Sequence, residues 1–302
     1  MTDRDALRLT APIERIGVVY REHTPEVLAI VDRMRAWAAD AGVSLAVEKN
    51  AGRGPEPSLE LNDDPVDLVV ALGGDGTFLR ASRLAVGTDT PVLGVNIGRL
   101  GFLTAIPDSN LEEGLNQVVS GEAVLEHRFR LRAVVSHGGE VQPCVHFALN
   151  DVVVHTSGAA RVTPLTISVG TPGDLEEVGS FAADGVIVST PTGSTAYSMS
   201  AGGPIITPEV EAIVMTPICP HSLAVRPLVL PAHRGICIGS LDPQGDHQLT
   251  VDGQVVQRLQ PSDRVLIARE ERPLALVRFP GQTFFKTMRR KLNWATRPPE
   301  RA

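Results

Sequence analysis

Lysine is nearly missing from this chain: only Lys49, Lys286 and Lys291 occur, and none of them follows a glycine. That excludes the Walker phosphate loop, which needs Gly-Lys followed by Ser or Thr. Cysteine is also scarce. Cys144, Cys219 and Cys237 are widely spaced with no Cys-x-x-Cys pair, so there is no framework to staple a secreted domain, and they read as ordinary thiols of a reducing compartment. Positive charge is in deficit, with a formal net charge of -7, which argues against a protein whose main task is gripping a nucleic-acid backbone. No apolar run approaches the roughly 18 residues of a membrane span. The stretch from Met1 to Ala11 is too charged for a signal peptide. A cytoplasmic protein with no membrane and no nucleic-acid partner is expected.

What remains is ample for a folded protein. Of the 302 residues 43% are hydrophobic and 21% charged, a globular balance, and the length suggests two domains. The first third alternates strand-like and helix-like pieces. Ile13 to Tyr20 reads as a strand, Thr24 as an N-cap, Pro25 as a first helical residue, and Gly42 as the stop of that helix. Val43 to Val47 and Val66 to Leu72 read as strands, separated by a Gly/Pro-rich connection from Asn50 to Pro65. Helices are expected at Thr77 to Val86 and Asp108 to Val119, with a strand at Pro91 to Val95. Such alternation implies a parallel sheet. From about Glu126 the period changes to two, as Phe129, Leu131, Ala133 and Val135 alternate with Arg128, Arg130 and Arg132. Turn signals at His137-Gly138-Gly139, Asp242-Pro243 and Asp252-Gly253 punctuate this part, with a helix-like insertion near Ser194 to Ala201. The economical picture is α/β plus all-β: a Rossmann-like α/β domain over 1–126, a β-rich sandwich-like domain over 127–274, and a basic helix, Phe284 to Trp294, in a segment 275–302 that returns to the first domain.

Two clusters carry the chemistry. Gly73-Gly74-Asp75-Gly76-Thr77 sits where a strand ends and a helix begins, the place where open α/β sheets bind ligands. Glycines allow close backbone approach, and N–H groups at a helix start suit phosphate. The dinucleotide fingerprint fails here because Leu79 stands where its third glycine belongs. An aspartate among glycines either accepts a proton from an attacking hydroxyl or holds Mg²⁺ on donor phosphates; a plain capped turn, with Asp75 as the cap, is the alternative. The second cluster is Asp184-Gly185 followed, after a strand, by Ser189 to Ser198. Its five hydroxyl side chains after Pro191 are expected to offer donors to ribose or phosphate, unless they merely cap a helix start.

The loop Gly73 to Thr77, then Asn150-Asp151, then Thr192-Gly193-Ser194-Thr195-Ala196-Tyr197 and Ala201-Gly202-Gly203-Pro204, taken in this order, resemble the NAD kinase family from about Ile16 to Trp294. The glycine-aspartate loop alone is shared with lipid kinases and phosphofructokinases; the combination is specific. The resemblance implies phosphoryl transfer from ATP or polyphosphate, with Mg²⁺ or another divalent cation, to the adenosine-ribose 2′-hydroxyl of NAD. It makes Asp75 the catalytic base, Gly73, Gly74, Gly76 and Thr77 the phosphate loop, and Gly76 a neighbour of the dinucleotide. It places Asn150 and Asp151 on ribose and adenine, although the family usually has glutamate at 151. Asp184, Thr195, Ala196, Tyr197, Ser198, Met199 and Ser200 match further ligand contacts, as do Arg80, Phe102, Arg161 and Gln254. For these last four the plainer readings are solvated surface for the arginines, core for Phe102 and a hairpin position for Gln254. No protein metal ligand is assigned, and a homodimer or homotetramer is implied. A lipid kinase of the diacylglycerol kinase type and a non-catalytic nucleotide-binding regulator are the rival readings.

Overall fold

The computed structural model describes residues 7–21, 24–48, 59, 61, 63–98, 101–156, 163–171, 173–242 and 246–294. The chain forms two units, Met1–His127 with Leu274–Ala302, and Arg128–Pro273. In the first, Leu7–Arg8 (β1), Arg15–Tyr20 (β2), helix Pro25–Ala41 (α1), Ser44–Val47 (β3), Leu68–Gly73 (β4), helix Asp75–Leu84 (α2), Val92–Asn96 (β5), Ile106–Pro107 (β6), helix Leu111–Val119 (α3) and Val124–Arg128 (β7) follow in order. The second runs through Leu131–His137 (β8), Glu140–Ala148 (β9), Asp151–Thr156 (β10), Thr163–Thr171 (β11), Asp174–Ala183 (β12), Gly185–Ser189 (β13), a short helix Tyr197–Ser200 (α4), Ala212–Ile218 (β14), Leu228–Pro231 (β15), Gly235–Ser240 (β16), His247–Val251 (β17), Gln254–Leu259 (β18) and Asp263–Arg269 (β19). Leu274–Arg278 (β20) and helix Phe284–Leu292 (α5) then rejoin the first unit.

Strand order in the first unit is β1-β7-β20-β5-β4-β2-β3, with β6 beside β5. The pairs β2–β3, β2–β4 and β4–β5 are parallel, as βα alternation requires. Every residue of β4 is buried, the continuous apolar reading of a strand covered on both faces. Val27, Ile30, Met34 and Trp37 of α1 and Leu111, Leu115 and Val118 of α3 share one cluster with Leu68, Val70 and Leu72. Alternate residues Val69 and Ala71 point to the opposite face, which α2 covers with Phe78, Leu79 and Ala81. The chain steps from β2 outward to β3, then back across to β4, so the turn after β4 lies where the strand progression reverses, the usual ligand crevice of such sheets. The Thr24 hydroxyl caps α1, Pro25 opens it, and Gly42 ends it at φ 70°.

The second unit holds two six-stranded antiparallel sheets, β15-β14-β13-β10-β17-β18 and β12-β11-β16-β19-β8-β9. Alternating residues of both, such as Val152, Val186, Ile213 and Leu249 from one and Ala133, Ile167, Ile238 and Val265 from the other, form a single buried cluster. That is the packing of a β-sandwich. The parallel sheet, the sandwich and the C-terminal helix in the first unit are the architecture the residue pattern predicts. Two details differ. The helix expected from Asp108 begins as a 3₁₀ turn, Asp108–Asn110. The insertion near Ser194 is a 3₁₀ turn, Gly193–Thr195, and one helical turn. The Asn50–Pro65 connection and the Asp242-Pro243 turn lie largely or partly outside the described residues. Among the described residues no helix is long and apolar enough to cross a membrane.

Candidate active site

Asp75 is the first residue of α2, and the N-cap is Gly74, which makes no side-chain cap bond. The capped-turn reading of Asp75 is therefore corrected: its carboxylate turns away from its own helix. Oδ2 accepts from the Phe102 N–H at 2.9 Å and Oδ1 from the Leu103 N–H at 3.0 Å. Gly101 completes this cradle, because a β-carbon there would stand 1.9 Å from Oδ1. The three loop glycines are not equivalent. A β-carbon on Gly73 would meet the Thr77 hydroxyl at 2.3 Å, whereas Gly74 and Gly76 border open space. Among the described residues nothing demands glycine at 74 or 76, which suits close approach of a ligand to the backbone there. Helix geometry leaves the first N–H donors of α2 without an internal acceptor, which suits an anion there.

The loop that holds Asp75 is itself held. Arg278, at the end of β20, donates from Nη2 to the Phe102 carbonyl at 3.1 Å and from Nη1 to those of Leu103 and Thr104 at 3.2 and 3.4 Å. Its Nε pairs with Glu126 of β7 at 3.2 Å. The Phe102 ring lies 6.2 Å from that of Phe284, with Lys291 Nζ 5.5 Å from its centroid, so Phe102 borders α5 and is not a core residue. Lys286, Arg289, Arg290 and Asn293 line an open depression of about 550 Å³ on the side of α5 turned away from Phe284 and Lys291. Arg80 is neither solvated nor free: it bonds the Tyr20 carbonyl at 2.5 Å and buried Glu48 at 2.6 Å. Burial and the Glu48 charge push the Tyr20 phenol up.

In the second unit, Asp252 in the turn between β17 and β18 organises the Asn150-Asp151 pair. Its carboxylate accepts the N–H groups of Leu149, Asn150 and Asp151 at 3.0, 2.8 and 3.2 Å. Asp252 and Gly253 both have positive φ, 47° and 76°, the conformation of a tight hairpin turn, and Gln254 follows as an exposed residue opening β18. The Asp151 carboxyl is 4% exposed. Burial, and next the charge of Asp252, push it up to about 7.

Most hydroxyls of the hydroxyl-rich segment bond within the protein. Thr190 Oγ1 donates to the Leu149 carbonyl at 2.6 Å and accepts from the Gly193 N–H. Ser194 bonds the Pro191 and Ile206 carbonyls, Thr195 the Thr192 carbonyl, and Arg128 donates to Thr192. Ser198 is fully buried and shares a 2.8 Å bond with Thr216. These hydroxyls satisfy a buried turn, as buried polar groups must. A β-carbon on Gly193 would meet the Asn150 carbonyl at 2.1 Å, so this turn packs directly on the Asn150-Asp151 strand start. What the segment shows to solvent is Tyr197, 47% exposed, and Ser200, with Thr195, Ala196 and Met199 half-buried. Asp184 is half-buried between β12 and β13, its backbone bonded to Thr156 and Ile218. Arg161 lies outside the described residues. The sequence reading missed Gly101, Arg278, Glu48 and Asp252. Of these only Asp252 carried a signal, its Asp-Gly turn, and that signal spoke for a hairpin alone.

A family model described as the ATP-NAD kinase N-terminal domain matches residues 16–123, and one described as the ATP-NAD kinase C-terminal domain matches 149–279. An NAD kinase of Gemmatimonas aurantiaca is 42% identical over 281 residues, covering 93% of this chain and 96% of its own. One of Heliobacterium modesticaldum is 40% identical over 281 residues, covering 92% and 98%. Among solved structures, yeast NADH kinase complexed with NADH superposes with a TM-score of 0.86 at 28% identity, covering 100% of this chain and 95% of that one. An Archaeoglobus fulgidus NAD kinase in complex with ATP gives 0.72 at 28% identity, covering 92% and 98%. None of these relatives supports the lipid kinase alternative, which is set aside.

Proposed function

The chain belongs to the ATP-NAD kinase family, and from that premise we propose that it transfers a phosphoryl group from ATP, or from polyphosphate, to the 2′-hydroxyl of the adenosine ribose of NAD, giving NADP. Asp75 accepts the hydroxyl proton as the bond to phosphorus forms. The observation that carries this reading is the Asp75 carboxylate held by two main-chain N–H groups at the mouth of a strand-to-helix turn whose outer glycines border open space. A carboxylate offers about four lone-pair sites. With two committed to the loop, others are left to take a proton from a hydroxyl placed against it, and most of the catalytic value lies in position. Asn150, Asp151, Asp184, Tyr197 and the 195–200 backbone are carried over from the family as dinucleotide contacts.

Among the described residues no three His, Cys, Asp or Glu side chains gather so as to hold a metal ion. On the family premise the donor is written as its Mg²⁺ complex, the cation arriving on the phosphates and neutralising their charge. On the same family premise the enzyme is a cytoplasmic homodimer or homotetramer.

Purified protein given NAD, ATP and Mg²⁺ should form NADP, detected by a dehydrogenase specific for NADP. No NADP from ATP or from polyphosphate would overturn the proposal. Asp75→Asn should lower kcat by about two to four decades with NAD still bound; unchanged turnover would remove Asp75 from the mechanism.

A further inference from the structure

The geometry points to Arg278 as a positioning residue for Asp75: its guanidinium grips the carbonyls of the 102–104 loop, and the N–H groups of the same loop grip the carboxylate. The inference rests on Asp75 being the base. The peptide between Phe102 and Leu103 is used on both sides, its carbonyl by Arg278 and its N–H by Asp75. The carbonyls of Phe102 and Leu103 accept from Arg278 at 3.1 and 3.2 Å, and the N–H groups of those two residues donate to Asp75 at 2.9 and 3.0 Å. Thr104 adds a third carbonyl on the arginine side, and its hydroxyl takes the Gly101 N–H at 3.2 Å. The planar fork of arginine can reach several carbonyls at once, which a lysine ammonium on its flexible stem does less rigidly.

The clamp is mounted on strands and not on another loop. Arg278 ends β20, Glu126 lies in the neighbouring β7, and the two are bonded at 3.2 Å. Arg278 is 14% exposed at its side chain, so water competes little for its donors. The loop itself runs between β5 and β6, with its Ala105 end further tied by Gln282 Nε2 at 2.7 Å. A site supported by side chains on sheet strands keeps its geometry better than one on a free loop, and displacing a reacting group by about 1 Å can cost on the order of a hundredfold in rate. Arg278 is a positioning residue and not a catalytic one. It acts on the reaction only through where Asp75 stands.

The test is steady-state kinetics of Arg278→Met and Arg278→Lys beside the wild type, with NAD affinity measured by calorimetry. Arg278→Met should lower kcat by roughly ten- to a hundredfold while KM and Kd for NAD stay within about threefold, and Arg278→Lys should recover part of the loss. In an Asp75→Asn background the same substitution should change the residual rate by less than about threefold, because the group it positions is gone. A merely structural role would lower both backgrounds by the same factor, and that result, or an unchanged kcat in Arg278→Met, overturns the inference. If Arg278→Met fails to fold, Arg278→Lys carries the same comparison. Failure here with an active wild type leaves the kinase reading standing, whereas a wild type that makes no NADP sinks the reading itself.

Discussion

Replacing Asp151 by Asn should flatten the pH dependence of folding in a direction opposite to the usual one for an acid. In the folded chain this carboxyl is pushed from 3.8 up to about 7, mostly by burial and then by the charge of Asp252. Its neutral form is the one the fold prefers. The stability it lends is complete below about pH 4 and is lost as pH rises through about 7, because the folded state binds the proton that the unfolded chain has already released. A rise of this size corresponds to about 4 kcal/mol in all, of which about 2 kcal/mol falls between pH 5.5 and 8.5. Asn is neutral at every pH and of the same shape. Urea unfolding of both proteins followed by circular dichroism at several pH values gives the difference in stability, in which the histidines, common to both, cancel. The variant should gain on the wild type from pH 5.5 to about 7, and the difference should level off toward pH 8.5. A difference that stays constant over this range would refute the claim that burial and Asp252 hold the Asp151 carboxyl well above the usual carboxylate range.

Gly101→Ala should lower kcat by at least tenfold while the melting temperature moves by only a few degrees, since the new methyl collides with the Asp75 carboxylate at 1.9 Å; kcat within twofold of wild type would sink the cradle. Arg80→Ala strips buried Glu48 of its 2.6 Å ion pair and should cost about 3 kcal/mol in urea unfolding, part of which Glu48→Gln restores in the double variant. Ser198→Ala and Thr216→Val each leave a buried hydroxyl short of its 2.8 Å partner, at about 1–3 kcal/mol; the double variant should cost clearly less than the sum, and simple additivity would contradict the shared bond.

What the sequence revealed follows from how far each signal has to reach. The Thr24-Pro25 start and Gly42 stop of α1 are local, and each residue does what its own conformation dictates. The strand-turn-helix around Asp75 was equally legible, since glycines and an apolar run declare it. The grip on Asp75 was not, because its donors are main-chain N–H groups 27 and 28 residues away, and any residue but proline supplies one. Asp252 meets Asn150 across 102 residues, with only a turn signal at its own end. The Thr190 to Ser198 stretch was legible only as hydroxyl-rich. Hydroxyls look alike in a sequence whatever they bond, and only the folded chain shows Thr190, Ser194 and Ser198 bonded within the protein.

Because the anchors of the Asp75 carboxylate belong to the peptide backbone, they cannot be lost by altering the side chains that carry them. A conservative change at Phe102 or at buried Leu103 would still present the same two donors, and only proline would delete one. Within the loop itself the sensitivity is thereby greatest at Gly101, where a single added carbon intrudes on the carboxylate.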